Sequence, residues 1–143
     1  MTGRTEMRDD EGIMIIGHGS RSEDSEAVFG LQSERLRGMG FKNVYTAFNE
    51  MSERTIEGTL QKMADDGIRT VYALPLFIIS GLHVTTDISK KLGLTDGSNT
   101  GTLSVNGKEM KIMYASAVGR DPLIAAILAE KVRGLMSGVP EDV

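Results

Sequence analysis

The sequence predicts an α/β domain, an open, mostly parallel four-stranded sheet with helices on both faces and a β-hairpin inserted near its end. Three observations carry this. Short runs rich in apolar and β-branched residues, Gly12 to Ile16, Phe41 to Phe48, Val71 to Leu76 and Ile112 to Ala115, have the length of strands and are too short for convincing helices. Stretches with apolar residues at helical spacing separate them, and alternation of that kind gives a parallel sheet joined by crossover helices. Thr102 to Val105 and Glu109 to Tyr114 flank Asn106-Gly107, a dipeptide suited to a tight hairpin turn.

Taken in order, Met1 to Glu11 is polar, charged and without period, so residues 1–11 read as a loose tail. Gly12 to Ile16 is a buried strand that runs into Gly17-His18-Gly19-Ser20, a turn in which two glycines leave the imidazole uncrowded. Ser20 or Ser22 caps the next helix, with Asp24 and Glu26 near its positive end. Its inner stripe reads Val28, Leu31, Arg35 and Leu36, and Gly38 or Gly40 stops it. The strand Phe41 to Phe48 ends at Asn49-Glu50-Met51-Ser52. Ser52 or Thr55 then starts a helix whose Ile56, Leu60, Met63 and Ala64 recur on one side, with Gly67 closing it.

Pro75 cannot donate to a ladder, so the third strand ends as it reaches Leu76. His83 to Leu92 reads as a short helix with Asp87 and Lys91 spaced for an i,i+4 ion pair. Gly93 to Gly101, rich in Gly, Thr, Ser, Asn and Asp, reads as a mobile surface loop. After the hairpin, Asp121 caps a helix with Pro122 in its first turn and an apolar stripe of Leu123, Ile127, Leu128, Val132 and Leu135. Residues 12–137 thus form a single domain and 138–143 a tail, with no internal repeat.

With 143 residues the chain buries roughly two-thirds of its unfolded surface. It is 40% hydrophobic and 25% charged, ordinary for a soluble protein. It has no cysteine, so disulfides, zinc–thiolate sites and iron–sulfur clusters are excluded. A net charge of -4 without a basic stripe argues against nucleic acid as a partner. No apolar run approaches a membrane span, so the cytoplasm is the expected compartment.

The chain has only two histidines, His18 and His83, and each follows an apolar strand and a glycine. Ligands of open α/β sheets bind outside the carboxyl ends of the strands. His18, Glu50 and His83 each fall just past a strand end and are expected at one rim. Singly, a loop histidine is most simply a surface residue and Glu50 an exposed carboxylate; the shared position gives them weight. The nine methionines read as core, Gly17-His18-Gly19 lacks the spacing of a phosphate loop, and Glu23 to Glu26 reads as a solvated helix start. Two imidazoles and a carboxylate suit Co²⁺, Ni²⁺, Fe²⁺ or Zn²⁺ and leave coordination positions open, which favours transfer of a metal over storage.

Gly17-His18-Gly19-Ser20-Arg21, Phe48-Asn49-Glu50-Met51-Ser52-Glu53 and Pro75 to Ile88 resemble the small class II tetrapyrrole chelatases, the sirohydrochlorin cobaltochelatases and nickelochelatases. The likeness runs from about Gly12 to Val132. The hairpin with Asn106-Gly107-Lys108 resembles the archaeal members linked to nickel insertion for coenzyme F430, the cofactor of methanogenesis. Arg54 departs from the pattern, standing where many relatives carry proline before the threonine.

The resemblance implies a lyase that inserts a divalent metal, Co²⁺ or Ni²⁺, into sirohydrochlorin without ATP, for cobalamin or F430 biosynthesis, with no permanently bound cofactor. It implies a homodimer, each chain equivalent to one half of a long class II chelatase. His18 and His83 carry over as catalytic, metal-handling residues, with Glu50 a metal ligand or proton acceptor and Ser20 a nearby polar group. The substrate bears eight carboxylates. Arg21, Arg54, Lys90 and Lys91 offer cations to them, and Ser80, Gly81 and Leu82 offer N–H groups at a helix start. Two other readings stand beside this one: a non-catalytic metal-binding or delivery module using the same histidines, and a phosphoryl-transfer enzyme with His18 as nucleophile. The second lacks an arginine directly before His18 and an arginine cluster to clamp phosphate.

Overall fold

The computed structural model describes residues 4, 6–19, 23–50, 52–79 and 81–138. The element order is β1 (Glu11–Gly17), α1 (Glu23–Gly38), β2 (Val44–Phe48), α2 (Ile56–Asp65), β3 (Thr70–Pro75), α3 (Leu82–Lys91), β4 (Thr100–Val105), β5 (Lys108–Tyr114), a 3₁₀ turn (Val118–Arg120) and α4 (Pro122–Met136). The strands form one sheet in the order β2-β1-β3-β5-β4. β2, β1, β3 and β5 run parallel, and β4 pairs antiparallel with β5. The four parallel strands are those read from the sequence; the first arm of the hairpin adds a fifth at the sheet edge.

β1 is central and buried along its whole length, which explains its unbroken apolar run. One sheet face, with Met14, Ile16, Val71, Ala73, Met110 and Ile112, packs against α2 and α3 through Ile56, Leu60, Met63, Ile88 and Leu92. The other face, with Ile13, Ile15, Val44 and Phe48, packs against Phe29 and Leu36 of α1. No helix among the described residues is long and apolar enough to cross a membrane.

Two local expectations are corrected, and two further segments are given their contacts. β2 begins at Val44 rather than Phe41, because Phe41 N–H closes α1 by donating to Leu36 and Asn43 turns the chain with φ 57°. The buried residues of α1 are Phe29 and Ser33, while Val28, Leu31 and Arg35 face solvent. The Ser33 hydroxyl is satisfied inside by the Phe29 carbonyl at 3.0 Å, so a small polar residue can occupy the core side. Residues 93–101 form a tight reversal, with Thr95 N–H on Thr100 and Leu94 bridged to Gly101. The stretch before β1 is tied down: Glu11, 3% exposed, accepts from the Arg4 guanidinium at 2.6 and 2.8 Å, the Tyr72 hydroxyl at 2.6 Å and the Arg8 N–H at 2.7 Å.

Other sequence signals hold. Thr55 caps α2 by accepting from Gly58 N–H, and Asp121 caps α4 by accepting from Leu123 N–H. Asn106 and Gly107 adopt the left-handed conformation that a tight hairpin turn requires. The stripe of α4 is apolar as read, but none of its residues is buried.

Candidate functional site

The parallel strands bring their carboxyl ends to one rim, and the segment after each carries a polar side chain. His18 is the first residue past β1, and Asn49 and Glu50 follow β2. The two turns are laced together: Asn49 N–H donates to the Gly17 carbonyl at 2.9 Å and Glu50 N–H to the His18 carbonyl at 3.0 Å. Both flanking glycines are required by this crossing. Gly19 has φ +106°, and a Cβ there would lie 1.6 Å from the Glu50 carbonyl oxygen; a Cβ on Gly17 would lie 2.5 Å from the Phe29 ring.

The His18 ring is exposed and rests against Phe77, with ring centroids 4.2 Å apart and planes tilted by 35°. Phe77 is buried just past β3, so it props the imidazole from the core side. The loop continues through the exposed Ile78 and Ile79 to Gly81, which caps α3 without a side-chain hydrogen bond. His83 therefore lies in the first turn of α3, where backbone N–H groups lack partners within the helix.

α3 is tethered back to the end of β2. Lys91 Nζ donates to both the main-chain and side-chain oxygens of Asn49, each at 2.9 Å, and lies 3.3 Å from Asp87 Oδ2. A hydrogen bond with Asn49 and a second with Lys91 hold the Asp87 carboxyl below its ordinary value. Asp87 sits one turn below His83 on α3, and contacts run from Asp87 through Lys91 and Asn49 to the turn in which Glu50 N–H donates to the His18 carbonyl. All three of His18, Glu50 and His83 are exposed on this rim. Among the described residues no three His, Asp or Glu side chains converge closely enough to hold a metal ion as a closed site.

The expected carboxylate-binding cations divide. Arg54 donates to the Thr46 hydroxyl at 2.7 Å and pairs with Glu26 at 3.5 Å, so it serves the β2 edge. Lys91 is engaged in the tether. Lys90 has no ion pair among the described residues, shares the His83 side of α3 and borders a groove of about 570 Å³ with Thr86, Ser89 and Asn99. Seven helical steps separate Lys90 from His83, roughly 10 Å. Gly81 and Leu82 lie at the start of α3, with Leu82 exposed; Ser20, Arg21 and Ser80 lie outside the described residues. Phe77 and the Asn49–Lys91 tether escaped the sequence reading. An aromatic residue directly after a strand and an amide before the candidate carboxylate were the available signals.

Residues 12–135 match the CbiX family model. The chain belongs to the CbiX family. It is 34% identical over 123 residues to the sirohydrochlorin cobaltochelatase of Methanosarcina barkeri, covering 85% of this chain and 94% of that one. It is 30% identical over 125 residues to the protein of that name in Sulfurisphaera tokodaii, covering 87% and 93%. The crystal structure of a CbiX protein from Marinobacter aquaeolei has the same fold, with TM-score 0.67 at 18% identity over 89% of this chain and 98% of the other. SirB from Bacillus subtilis, solved with Fe³⁺, superposes with TM-score 0.68 at 20% identity over 92% of this chain but only 48% of its own length.

Proposed function

We propose that this CbiX-family chain inserts a divalent metal, Co²⁺ or Ni²⁺, into sirohydrochlorin without ATP, in the cytoplasm and as a homodimer, in the service of cobalamin or coenzyme F430 biosynthesis. The observation that carries the reading is the rim itself: two imidazoles and a carboxylate, exposed, on segments cross-linked by hydrogen bonds. Relatives named sirohydrochlorin cobaltochelatase support the substrate.

The chemistry follows from what insertion requires. The hydrated ion must shed water and bond to the four ring nitrogens, and the two pyrrole N–H bonds must break, releasing two protons. His18 and His83 replace lost water and hold the ion above the ring, which turns an encounter in solution into a positioned transfer. Open coordination suits this step, because an ion held by a full ligand set is not released. Glu50 receives the pyrrole protons and passes them to water. Lys90 and the unpaired N–H groups at the start of α3 meet ring-edge carboxylates. The order of metal affinities places Ni²⁺ above Co²⁺ at such ligands, so supply and geometry set the physiological metal.

The test mixes protein, sirohydrochlorin and Co²⁺ or Ni²⁺ without nucleotide and follows the visible absorbance. The wild type accelerates insertion, His83→Ala abolishes the acceleration and His18→Ala reduces it severely. Metal uptake with an unchanged tetrapyrrole spectrum would mean a delivery module instead.

A further inference from the structure

A second cavity lies on the flank of the sheet. A groove of about 590 Å³ opens along the outer edge of β2, between α1 and α2. Its floor is polar where a core is ordinarily apolar. Among the described residues four polar or charged side chains are buried, and three of them, Ser33, Thr46 and Thr59, line this groove. Its walls carry two helix-interior glycines, Gly30 of α1 and Gly58 of α2. Glycine destabilises a helix interior relative to alanine. Packing within the chain does not demand it here: a Cβ on Gly30 would meet nothing within 4 Å, and one on Gly58 only Thr55 Oγ1. Both helices therefore leave room along the groove.

Two guanidinium groups reach this edge from opposite sides. Arg37 of α1 donates to the Val44 carbonyl at 2.9 Å, and Arg54, from the segment before α2, donates to the Thr46 hydroxyl at 2.7 Å. Val44 and Thr46 are two residues apart on an extended strand, which sets these anchoring points roughly 7 Å apart. Thr46 N–H faces the groove between them. Ile13 N–H donates to Asn43 and Asn49 N–H to Gly17, so the odd-numbered residues of β2 bond to β1 and the even-numbered ones face outward. The charged side chains lining the groove are three cations, Arg37, Arg54 and Lys62, against two exposed carboxylates, Glu34 and Glu53. Arg37 pairs with Glu34 at 2.9 Å, Arg54 with Glu26 at 3.5 Å and Lys62 with Asp66 at 3.6 Å. Pairs so exposed to solvent are weak and exchange readily. Each guanidinium also has five N–H donors, more than these contacts use.

We propose that this groove binds a small molecule carrying two oxyanion groups, carboxylate or phosphate, one on Arg37 and one on Arg54, with Thr46 N–H and the buried hydroxyls contacting the portion between them. The planar fork of arginine matches both kinds of oxyanion, and the volume is that of a small-molecule site. Entry needs only an exchange of partners: the acidic groups of the ligand take N–H donors that now face Glu34 and Glu26, and those carboxylates return to water. The site adjoins the rim through the main chain. Phe48 N–H donates to the Arg54 carbonyl at 2.8 Å and Phe48 bridges to Thr55, immediately before Asn49 and Glu50. The inference is independent of the chelatase reading, since it draws on neither histidine nor on Glu50 as a ligand.

Glutarate and pyrophosphate are the carboxylate and phosphate probes, with acetate and inorganic phosphate as their single-group counterparts. Each is titrated into metal-free protein by calorimetry, and amide ¹⁵N spectra locate the contact. The expected result is saturable binding of glutarate or pyrophosphate at one site per chain, about tenfold or more tighter than its counterpart, with the Thr46 amide shifted; the tighter of the two names the acidic group. Arg37→Met and Arg54→Met should each weaken binding about tenfold, the loss of one charge-assisted contact. Gly30→Leu removes no charge and places a side chain in open room, so the fold and Tm should hold while binding is lost. Failure of both probes to bind at millimolar concentration would overturn the proposal. So would binding that survives Arg37→Met combined with Arg54→Met, binding by Gly30→Leu equal to wild type, or shifts at the histidine rim without any at Thr46.

Discussion

Replacing Lys91 with methionine tests whether the tether between α3 and β2 serves the chemistry. The Lys91 side chain is only 25% exposed, and its ammonium makes two 2.9 Å hydrogen bonds to Asn49 beside the 3.3 Å pair with Asp87. Hydrogen bonds from a charged group are worth about 1.5–3 kcal/mol each, and partial hydration together with the desolvation already incurred reduces the net loss to about 2 kcal/mol. For a domain of this size that lowers Tm by roughly 4–8 °C. Methionine keeps the packing of the stem, so the loss is electrostatic. The kinetic effect is larger. Without the tether, α3 can slide against the end of β2, and a shift of about 1 Å between His83 and Glu50 costs on the order of 100-fold in rate. Stopped-flow absorbance of metal insertion at saturating sirohydrochlorin, with thermal melts on the same samples, reads both. The expected result is kcat down about 10- to 100-fold with KM for the ring within about threefold, because no ring contact is removed. A lower Tm with unchanged kcat would refute the reasoning, and a rise in KM alone would make Lys91 a substrate contact.

Three further outcomes follow from the same geometry. Glu11→Gln should cost about 2 kcal/mol at neutral pH, because a buried carboxylate with charge-assisted partners becomes a neutral amide. Its pH dependence is specified: the Arg4 guanidinium and the Tyr72 hydroxyl hold the Glu11 carboxyl well below its ordinary 4.5, so its stabilisation is complete above about pH 5 and fades as pH falls. Urea melts should therefore show wild type and Glu11→Gln converging at low pH, and an equal gap at pH 7 and pH 3 would contradict this. Gly19→Ala should abolish insertion and lower stability by more than about 2 kcal/mol, since φ +106° and the Glu50 carbonyl leave no room for a methyl group; a crystal structure with the Asn49–Glu50 turn undisturbed would contradict it. Phe77→Leu should preserve the fold but slow insertion through loss of the ring beneath His18, and an unchanged rate with a mobile His18 ring by NMR would count against that support.

The order of strands and helices was legible because each carried its own local signal: the apolar run of β1, the Thr55 and Asp121 caps, the Asn106-Gly107 turn. The rim was legible for the same reason, since parallel topology alone sends His18, Glu50 and His83 to one end of the sheet. What escaped depends on contacts between distant segments. Ser33 replaces an apolar residue on the inner side of α1 only because the Phe29 carbonyl satisfies it, which no periodicity count anticipates. Lys91 looked like a surface partner of Asp87 and is one, yet its decisive contact is Asn49, 42 positions away. Arg54 faces Thr46 of β2 and Glu26 of α1 because the fold packs the start of α1 beside that edge strand, a fact of tertiary geometry. The stripe of α4 was read correctly as apolar; that nothing in its own chain buries it concerns the whole molecule.

With only two histidines in the chain, a protein labelled with ¹⁵N-histidine reports on both imidazoles at once. Titrating it with Co²⁺ tests most directly whether the two rings serve one ion. Paramagnetic shifts that develop together on His18 and His83, saturate at one ion per rim and vanish from the remaining ring in either alanine variant are the predicted result. Shifts confined to one ring, or two rings responding with unrelated affinities, would contradict it.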